Sequence, residues 1–203
     1  MIDHLAYATP DLEATVAFLR DTYGLALTPG GAHVGAGTRN HLCGLGGSTY
    51  LEVIGPDLDQ PRPTGPRPFG VDDLTEPRLV AWCTRPARPL EDVVAEVRAL
   101  GLDLGAVASM SRARPDGIVL QWRLTFPTHG PVIPFCIDWG STPHPADSLD
   151  HGTTLERLDL TDPNPTMAHR VLAAIGPDLA VATGAPTVCA HLRTPNGPLI
   201  LSS

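Results

Sequence analysis

Apolar residues along this chain gather in short runs with alternating polar positions, and single stretches of helical spacing separate the runs. The first run, Ile2–Ala8, is interrupted only by His4. Thr9-Pro10-Asp11 then starts a helix: Thr9 is the candidate N-cap, and Pro10 suits the first helical position, where its missing N–H is not needed. Leu12, Val16, Leu19 and Tyr23 recur at helical spacing, and Gly24 supplies the stop. Short strands are expected around Leu25–Thr28, Asn40–Leu45 and Thr49–Ile54, with Gly46-Gly47 as a hairpin turn.

The same plan recurs twice. Leu79–Thr84 is a strand, and Leu90, Val93, Val94, Val97 and Leu100 make the apolar stripe of a helix from about Pro89 to Leu100 that Gly101 closes. Gly117–Phe126 and Val132–Trp139 follow as strands. A third round has Leu155–Leu160, a helix near Pro165–Ile175, and strands near Leu179–Thr183, Thr187–Thr194 and Pro198–Leu201; Asp162-Pro163 stands where Thr9-Pro10 stood. A chain that repeats a βαβββ plan builds its sheets from copies of one module. The expected fold is therefore α+β, with curved, mostly antiparallel sheets forming a cup and the helices outside, because one helix covers only one sheet face. Residues 1–145 make one region of two modules (about 2–55 and 78–140), and 150–203 a third module packed on the same fold. Pro56–Pro77, rich in Pro and Gly, is a linker or loop. Modules one and two, or one and three, share the cup. An unpaired edge of the remaining module is free to pair across a homodimer.

Composition narrows the class. The chain has 203 residues, 42% of them hydrophobic and 18% charged, which is the balance of a globular protein. A formal charge of −8 argues against a nucleic-acid partner, which needs clustered Lys and Arg. Cys43, Cys83, Cys136 and Cys189 lie far apart with no C-x-x-C, so zinc-ribbon and thioredoxin readings fail. Three of them fall in strand-like runs as small hydrophobes. Met1-Ile2-Asp3-His4 has no basic n-region or apolar h-region, and no segment approaches membrane-spanning length. A cytoplasmic protein with a small-molecule ligand and no membrane partner is expected.

The first copy places a histidine on its opening strand and a glutamate on its last, His4 and Glu52. Alternation puts His4 on one face with Ile2, Ala6 and Ala8, and Glu52 on one face with Tyr50 and Ile54. A carboxylate inside Tyr-Leu-Glu-Val-Ile is costly to bury unless it is paired, protonated or metal-bound. Imidazole and carboxylate together suit Zn²⁺, Ni²⁺, Fe²⁺ or Mn²⁺ as a Lewis acid. Without metal, Glu52 can act as a general base oriented by His4, and the bland alternative is a hydrogen-bonded polar pair. Arg112 and Arg114 either clamp an anionic group or sit in an exposed loop closed by Pro115-Asp116-Gly117. Arg123 alternates with Trp122, so one of the two faces the cup. Trp122 and Trp139 either stack a planar ligand or pack in the core. Asn40 and His41 follow Gly30–Gly37, a candidate flap that opens no helix and so makes no phosphate loop. His144, His151 and His169 read as solvated, and Ser109, Ser111 and Ser141 lack a nucleophile elbow.

Ile-Asp-His-Leu at the start, the Thr-Pro-Asp-Leu-Glu helix entry and the Tyr-Leu-Glu-Val-Ile strand resemble the vicinal oxygen chelate superfamily. That superfamily includes glyoxalase I, extradiol dioxygenases, fosfomycin-resistance enzymes, methylmalonyl-CoA epimerase and non-catalytic bleomycin-binding proteins. Gly-Thr-Arg-Asn-His at 37–41, Ser-Arg-Ala-Arg-Pro-Asp-Gly at 111–117 and Pro-Phe-Cys-Ile-Asp-Trp-Gly at 134–140 resemble its glyoxalase-like domain family. The resemblance implies His4 and Glu52 as metal ligands on the first and fourth strands, with the other ligands on equivalent strands of the partner module. Val80 in module two and Arg157 in module three stand opposite His4, and Phe135 falls near the Glu52 position, so none completes that set. A third ligand has to come from Asp138, His129, His41 or His33, in falling order. The implied function is an enzyme acting on a small oxygenated anionic molecule by proton abstraction next to a carbonyl, a lyase or isomerase step. Glu52 is its base or ligand, His4 its ligand or orienting partner, and Arg112 or Arg114 its substrate anchor; Trp122, Arg123 and Asn40 complete the binding set. The alternative is a non-catalytic protein that sequesters a small planar molecule in the same cup.

Overall fold

The structure is a computed structural model that describes residues 1–113, 117–126 and 129–203; Arg114 lies outside the described residues. Module one comprises β1 (Ile2–Ala8), α1 (Leu12–Tyr23), β2 (Thr28–His33), β3 (Thr38–Gly44) and β4 (Tyr50–Pro56). Module two comprises β5 (Arg78–Thr84), α2 (Leu90–Ala99), β6 (Ala108–Ala113), β7 (Val119–Leu124) and β8 (Phe135–Asp138). The last stretch holds β9 (Thr154–Asp162), α3 (Pro165–Ile175), β10 (Val181–Thr183), β11 (Thr187–Thr194) and β12 (Gly197–Ser202).

Local chemistry explains the helix ends. Asp11, rather than Thr9, caps α1, its side chain accepting the Ala14 N–H at 3.0 Å. Thr9 is instead buried against Thr15, hydroxyl to hydroxyl at 2.6 Å, which ties the end of β1 to the first helical turn. Gly24 ends α1 in the left-handed region (φ 73°), where its N–H returns to the Arg20 carbonyl. Asn164 caps α3 through the Met167 N–H. The strand expected over Leu25–Thr28 starts only at Thr28: Leu25 and Leu27 are buried anchors that lead into β2. Strand β6 stands where the sequence signalled none, because its inward positions are Met110 and Arg112 and its outward ones Ser109 and Ser111, a pattern with little apolar contrast.

Strands of modules one and two form a single eight-stranded sheet in the order β2-β3-β4-β1-β5-β8-β7-β6. Each module runs antiparallel through its last three strands and joins its first strand to its fourth in parallel, β1 to β4 and β5 to β8. The two halves meet antiparallel at β1 and β5, so one half repeats the other about a local twofold. The sheet curls until its ends, β2 and β6, touch, which makes a cup that is nearly closed.

The four remaining strands make a separate sheet in the order β10-β9-β11-β12. Here the chain order of a βαβββ module is kept but the pairing is not. Strand β9 lies between β10 and β11, whereas β1 and β5 pair with the fourth strand of their module. One continuous core joins the layers. Leu5, Leu51, Val53 and Trp82 from the convex side of the cup meet Leu12, Val16 and Leu19 of α1 and Val93 and Val97 of α2. They also meet Val171 and Leu172 of α3 and Leu158, Val188, Leu192 and Leu201 of the small sheet. Helices therefore sit between two sheets, and the concave side of the cup is left to a second, smaller apolar cluster with a cavity in it. Among the described residues no helix is long and apolar enough to cross a membrane.

Candidate active site

Inside the cup lies a hollow with about 660 Å³ of atom-free space, counted to its open mouth. Six of the ten aromatic residues of the chain line it: Tyr50, Phe69, Trp122, Phe126, Phe135 and Trp139. Alternation decides what else reaches it. His4 on β1, Asn40 on β3, Glu52 on β4 and Arg112 on β6 all point inward, and His33 closes the same wall from the end of β2. Trp122 of β7 faces in and Arg123 faces out, where Arg123 pairs with Glu91 at the start of α2. Asp138 likewise points away from the hollow, opposite Arg123 on the neighbouring strand, with its carboxylate on the Gly140 N–H.

Two networks hold the polar wall. In the first, Arg112 Nη1 donates to Asn40 Oδ1 (2.7 Å), and Asn40 Nδ2 donates to Glu52 Oε1 (2.5 Å). The same amide lies 3.3 Å from His33 Nε2, whose other nitrogen is 3.0 Å from the Thr38 hydroxyl. Because the Asn40 amide nitrogen can only donate, His33 Nε2 accepts, and its proton sits on Nδ1. Burial pushes the His33 pKa down, with Glu52 pulling the other way and Arg112 reinforcing the shift, so the ring stays neutral. In the second network Asp3 Oδ1 and His4 Nδ1 are 2.7 Å apart, and Asp3 Oδ2 meets His144 Nε2 (3.0 Å) and Trp139 Nε1 (3.1 Å). Burial alone would raise the Asp3 pKa, but hydrogen bonds and charge from His144 and His4 outweigh it and hold the carboxyl well below the usual range.

The two networks end face to face. His4 Nε2 stands 3.9 Å from Glu52 Oε2, and His33 Nε2 stands 3.8 Å from the other carboxylate oxygen. His4 stacks on Tyr50 at 4.8 Å between centroids, with the Phe135 ring edge-on at 5.3 Å. Glu52 is 8% exposed and His4 4%, so each meets solvent only through the hollow.

Sequence reasoning and structure differ at four places. Asp138, the first-ranked third ligand, is on the wrong face of β8, and Arg123 is on the wrong face of β7, because the period of two sends alternate residues outward. His129 is exposed and bonded to the Asp103 carbonyl, and His41 lies outside the hollow's lining, whereas His33, ranked last, is in the site. His144 is 9% exposed rather than solvated. Asp3 carried no signal, since strict alternation turns it away from His4. A slip in the β1–β5 register between Ile2 and His4 undoes that alternation and brings the carboxylate against the His4 ring.

The superfamily implies a divalent cation at this place, and the donor set does not fit one. On β5 and β8 the positions facing His4 and Glu52 are Ala81, Cys83, Phe135 and Ile137. Asp3, His4 and Cys83 do place one donor atom each within 4.8 Å of one another. Yet Asp3 Oδ1 and His4 Nδ1 are engaged with each other in a hydrogen bond, and the Cys83 thiol donates to the Thr84 carbonyl (3.8 Å). His4 and His33 approach different oxygens of Glu52 and do not converge on one point.

A cup closed from two βαβββ halves, with a histidine and a glutamate on its first and fourth strands, is the architecture of the vicinal oxygen chelate superfamily. Residues 2–176 match the profile described as glyoxalase-like domain, and the chain belongs to that family. Among solved structures, a hypothetical protein from Staphylococcus aureus aligns with TM-score 0.65 at 16% identity, covering 99% of this chain and 84% of that one. A mutant of 4-hydroxymandelate synthase from Streptomyces coelicolor aligns with TM-score 0.56 at 15% identity, covering 99% of this chain and 62% of that one. These likenesses are of fold. No curated protein matches the chain.

Proposed function

We propose that this protein is an enzyme that removes a proton next to the carbonyl of a small oxygenated anion, in a lyase or isomerase reaction. The observation that carries the reading is the pair of facing atoms, Glu52 Oε2 and His4 Nε2, in a hollow that is otherwise mostly aromatic and aliphatic. Each group has its other atom tied down, Oε1 by Asn40 and Nδ1 by Asp3, so the free atoms are presented to a ligand and not to the protein. Glu52 Oε2 takes the proton, and the C–H electron pair moves onto the carbonyl oxygen as an enolate. Glu52, or His4 Nε2 once the proton has passed to it from Glu52, then returns the proton to the same carbon. Arg112 supplies positive charge on the same wall for the anionic group, with Trp122 and Asn40 bounding the ligand. The expected Arg114 contribution stays part of this proposal.

The test is exchange of the C3 protons of pyruvate, 2-oxobutyrate and phenylpyruvate in D₂O, followed by NMR. The wild-type chain exchanges at least one of them, and Glu52→Gln slows that exchange by about a hundredfold or more. A second reading, sequestration of a planar compound, is favoured by the six aromatic side chains of the lining. It takes over if these compounds raise the melting temperature equally in wild type and Glu52→Gln while no proton exchanges.

A further inference from the structure

A carboxylate with no solvent exposure beside the candidate histidine asks for an explanation that the proposed chemistry does not itself supply. Asp3 reaches His4 where β1 slips register, and two donors and a guanidinium converge on it from other parts of the chain. Trp139, at the end of β8, can only donate through Nε1. His144, six residues from the end of β8, accepts the Ala146 N–H at Nδ1 (3.2 Å), so its Nε2 carries the proton and donates to Asp3. Arg85 adds its charge at 3.9 Å. With Oδ2 held by two donors, Oδ1 is left for His4. An ionised carboxylate only accepts, so the His4 proton must be on Nδ1 and the lone pair on Nε2, directed at Glu52. Stacking on Tyr50 and the edge of Phe135 keep the ring from turning over.

We propose that Asp3, backed by His144 and Trp139, is the positioning residue of this site: it fixes His4 as the Nδ1–H tautomer, so that Nε2 offers a lone pair to the hollow, and it stabilises the imidazolium formed when Nε2 takes a proton. The assignment rests on His4 acting in the proposed reaction, but its main readout does not.

The test is ¹⁵N NMR of the histidine rings at about pH 8, with His4→Gln used to assign the His4 signals. Wild-type His4 shows a protonated Nδ1 and a bare Nε2. A bare Nδ1, or a doubly protonated ring, overturns the proposal without any variant having to fold. In Asp3→Asn the side chain is isosteric but has one acceptor and one donor end. Trp139 and His144 both need the acceptor, so the amide nitrogen turns to His4, and the His4 proton moves to Nε2. The tautomer signature then reverses, and proton exchange falls by about a hundredfold or more. A merely structural Asp3 would leave the tautomer unchanged in any Asp3→Asn protein that retains the wild-type far-ultraviolet spectrum, and that result also overturns the proposal. If the tautomer reverses but the wild-type chain never exchanges a proton, the positioning role stands and the proposed function fails. If exchange is present and survives in Asp3→Asn, the reverse holds.

Discussion

Gly30 lacks a side chain where Asn40 needs the room: a Cβ on Gly30 would fall on Asn40 Oδ1 and on Arg112 Nη1, the two atoms of one hydrogen bond. Asn40 Oδ1 cannot give way without disturbing Glu52, because the same amide holds Oε1 of the carboxylate, and Arg112 Nη1 cannot give way without releasing Asn40. Gly30→Ala should therefore cost about 1–3 kcal/mol from overpacking, measured by urea denaturation. It should also abolish the melting-temperature rise produced by any carboxylate ligand that stabilises the wild type. Retention of that rise would mean that the Arg112–Asn40–Glu52 chain does not shape the site.

Metal removal should leave the molecule as it is. A cation at His4 and Glu52 would need further ligands from β5 and β8, and those strands present Ala81, Phe135, Ile137 and the Cys83 thiol, which donates to the Thr84 carbonyl. Prolonged dialysis against a chelator is expected to shift the melting temperature by no more than about 1 °C, well under the shift of several degrees that a 1 kcal/mol contribution gives. Elemental analysis should find well under one equivalent of Zn, Ni, Fe or Mn. One equivalent, lost in His4→Ala, would return the site to metal chemistry.

How much of this was legible in the sequence depends on the range of the interaction. Helical spacing placed all three helices. Period-two alternation put Glu52 on one face with Tyr50 and Ile54 and His4 on one face with Ala6. It left open whether Trp122 or Arg123 turns inward, and it wrongly grouped Ile2 with His4. It could not place Asp3, because a register slip in β1 is decided by the partner strand β5, not by residues 2–8. His33 and His144 look like loop histidines by composition, and become buried only when β2 closes the cup and the chain beyond β8 docks on Asp3. The last repeat shows the same limit from another side. Its element order copies the first two, but strand pairing is a long-range choice, and β9 takes neighbours that β1 and β5 do not.

Phe69 belongs to the segment between the modules, and it is the one non-glycine residue with a positive φ among the described residues (φ 61°, ψ 18°). Its ring lines the hollow beside Phe135 at 5.8 Å, and neighbouring Arg67 anchors the segment to Asp72 and to the Gly37 carbonyl. In Phe69→Gly the relieved backbone strain, roughly 1–2 kcal/mol, offsets much of the lost packing. Stability should change little, while release of a bound aryl ligand such as phenylpyruvate accelerates, as stopped-flow fluorescence of the cavity tryptophans can measure. An unchanged release rate would place the exit elsewhere.

His33 sets an acid limit on stability. Burial holds its pKa below the ordinary 6.5, so between its folded value and 6.5 the unfolded chain binds a proton that the native ring refuses. Stability then falls as pH drops through that window, by at most about 1.4 kcal/mol per pH unit from this group. Asp3 does not contribute there: its depressed carboxyl is ionised in both states, and its share is lost only further down, as pH falls below the ordinary 3.8 toward its folded value. His33→Gln keeps a polar side chain near Asn40 but cannot take up a proton. Its urea midpoint should therefore drop less than that of the wild type between about pH 7 and pH 5.5. If wild type and variant lose stability in parallel over that range, the acid sensitivity arises from another group, and His33 is not held neutral by its place in the wall.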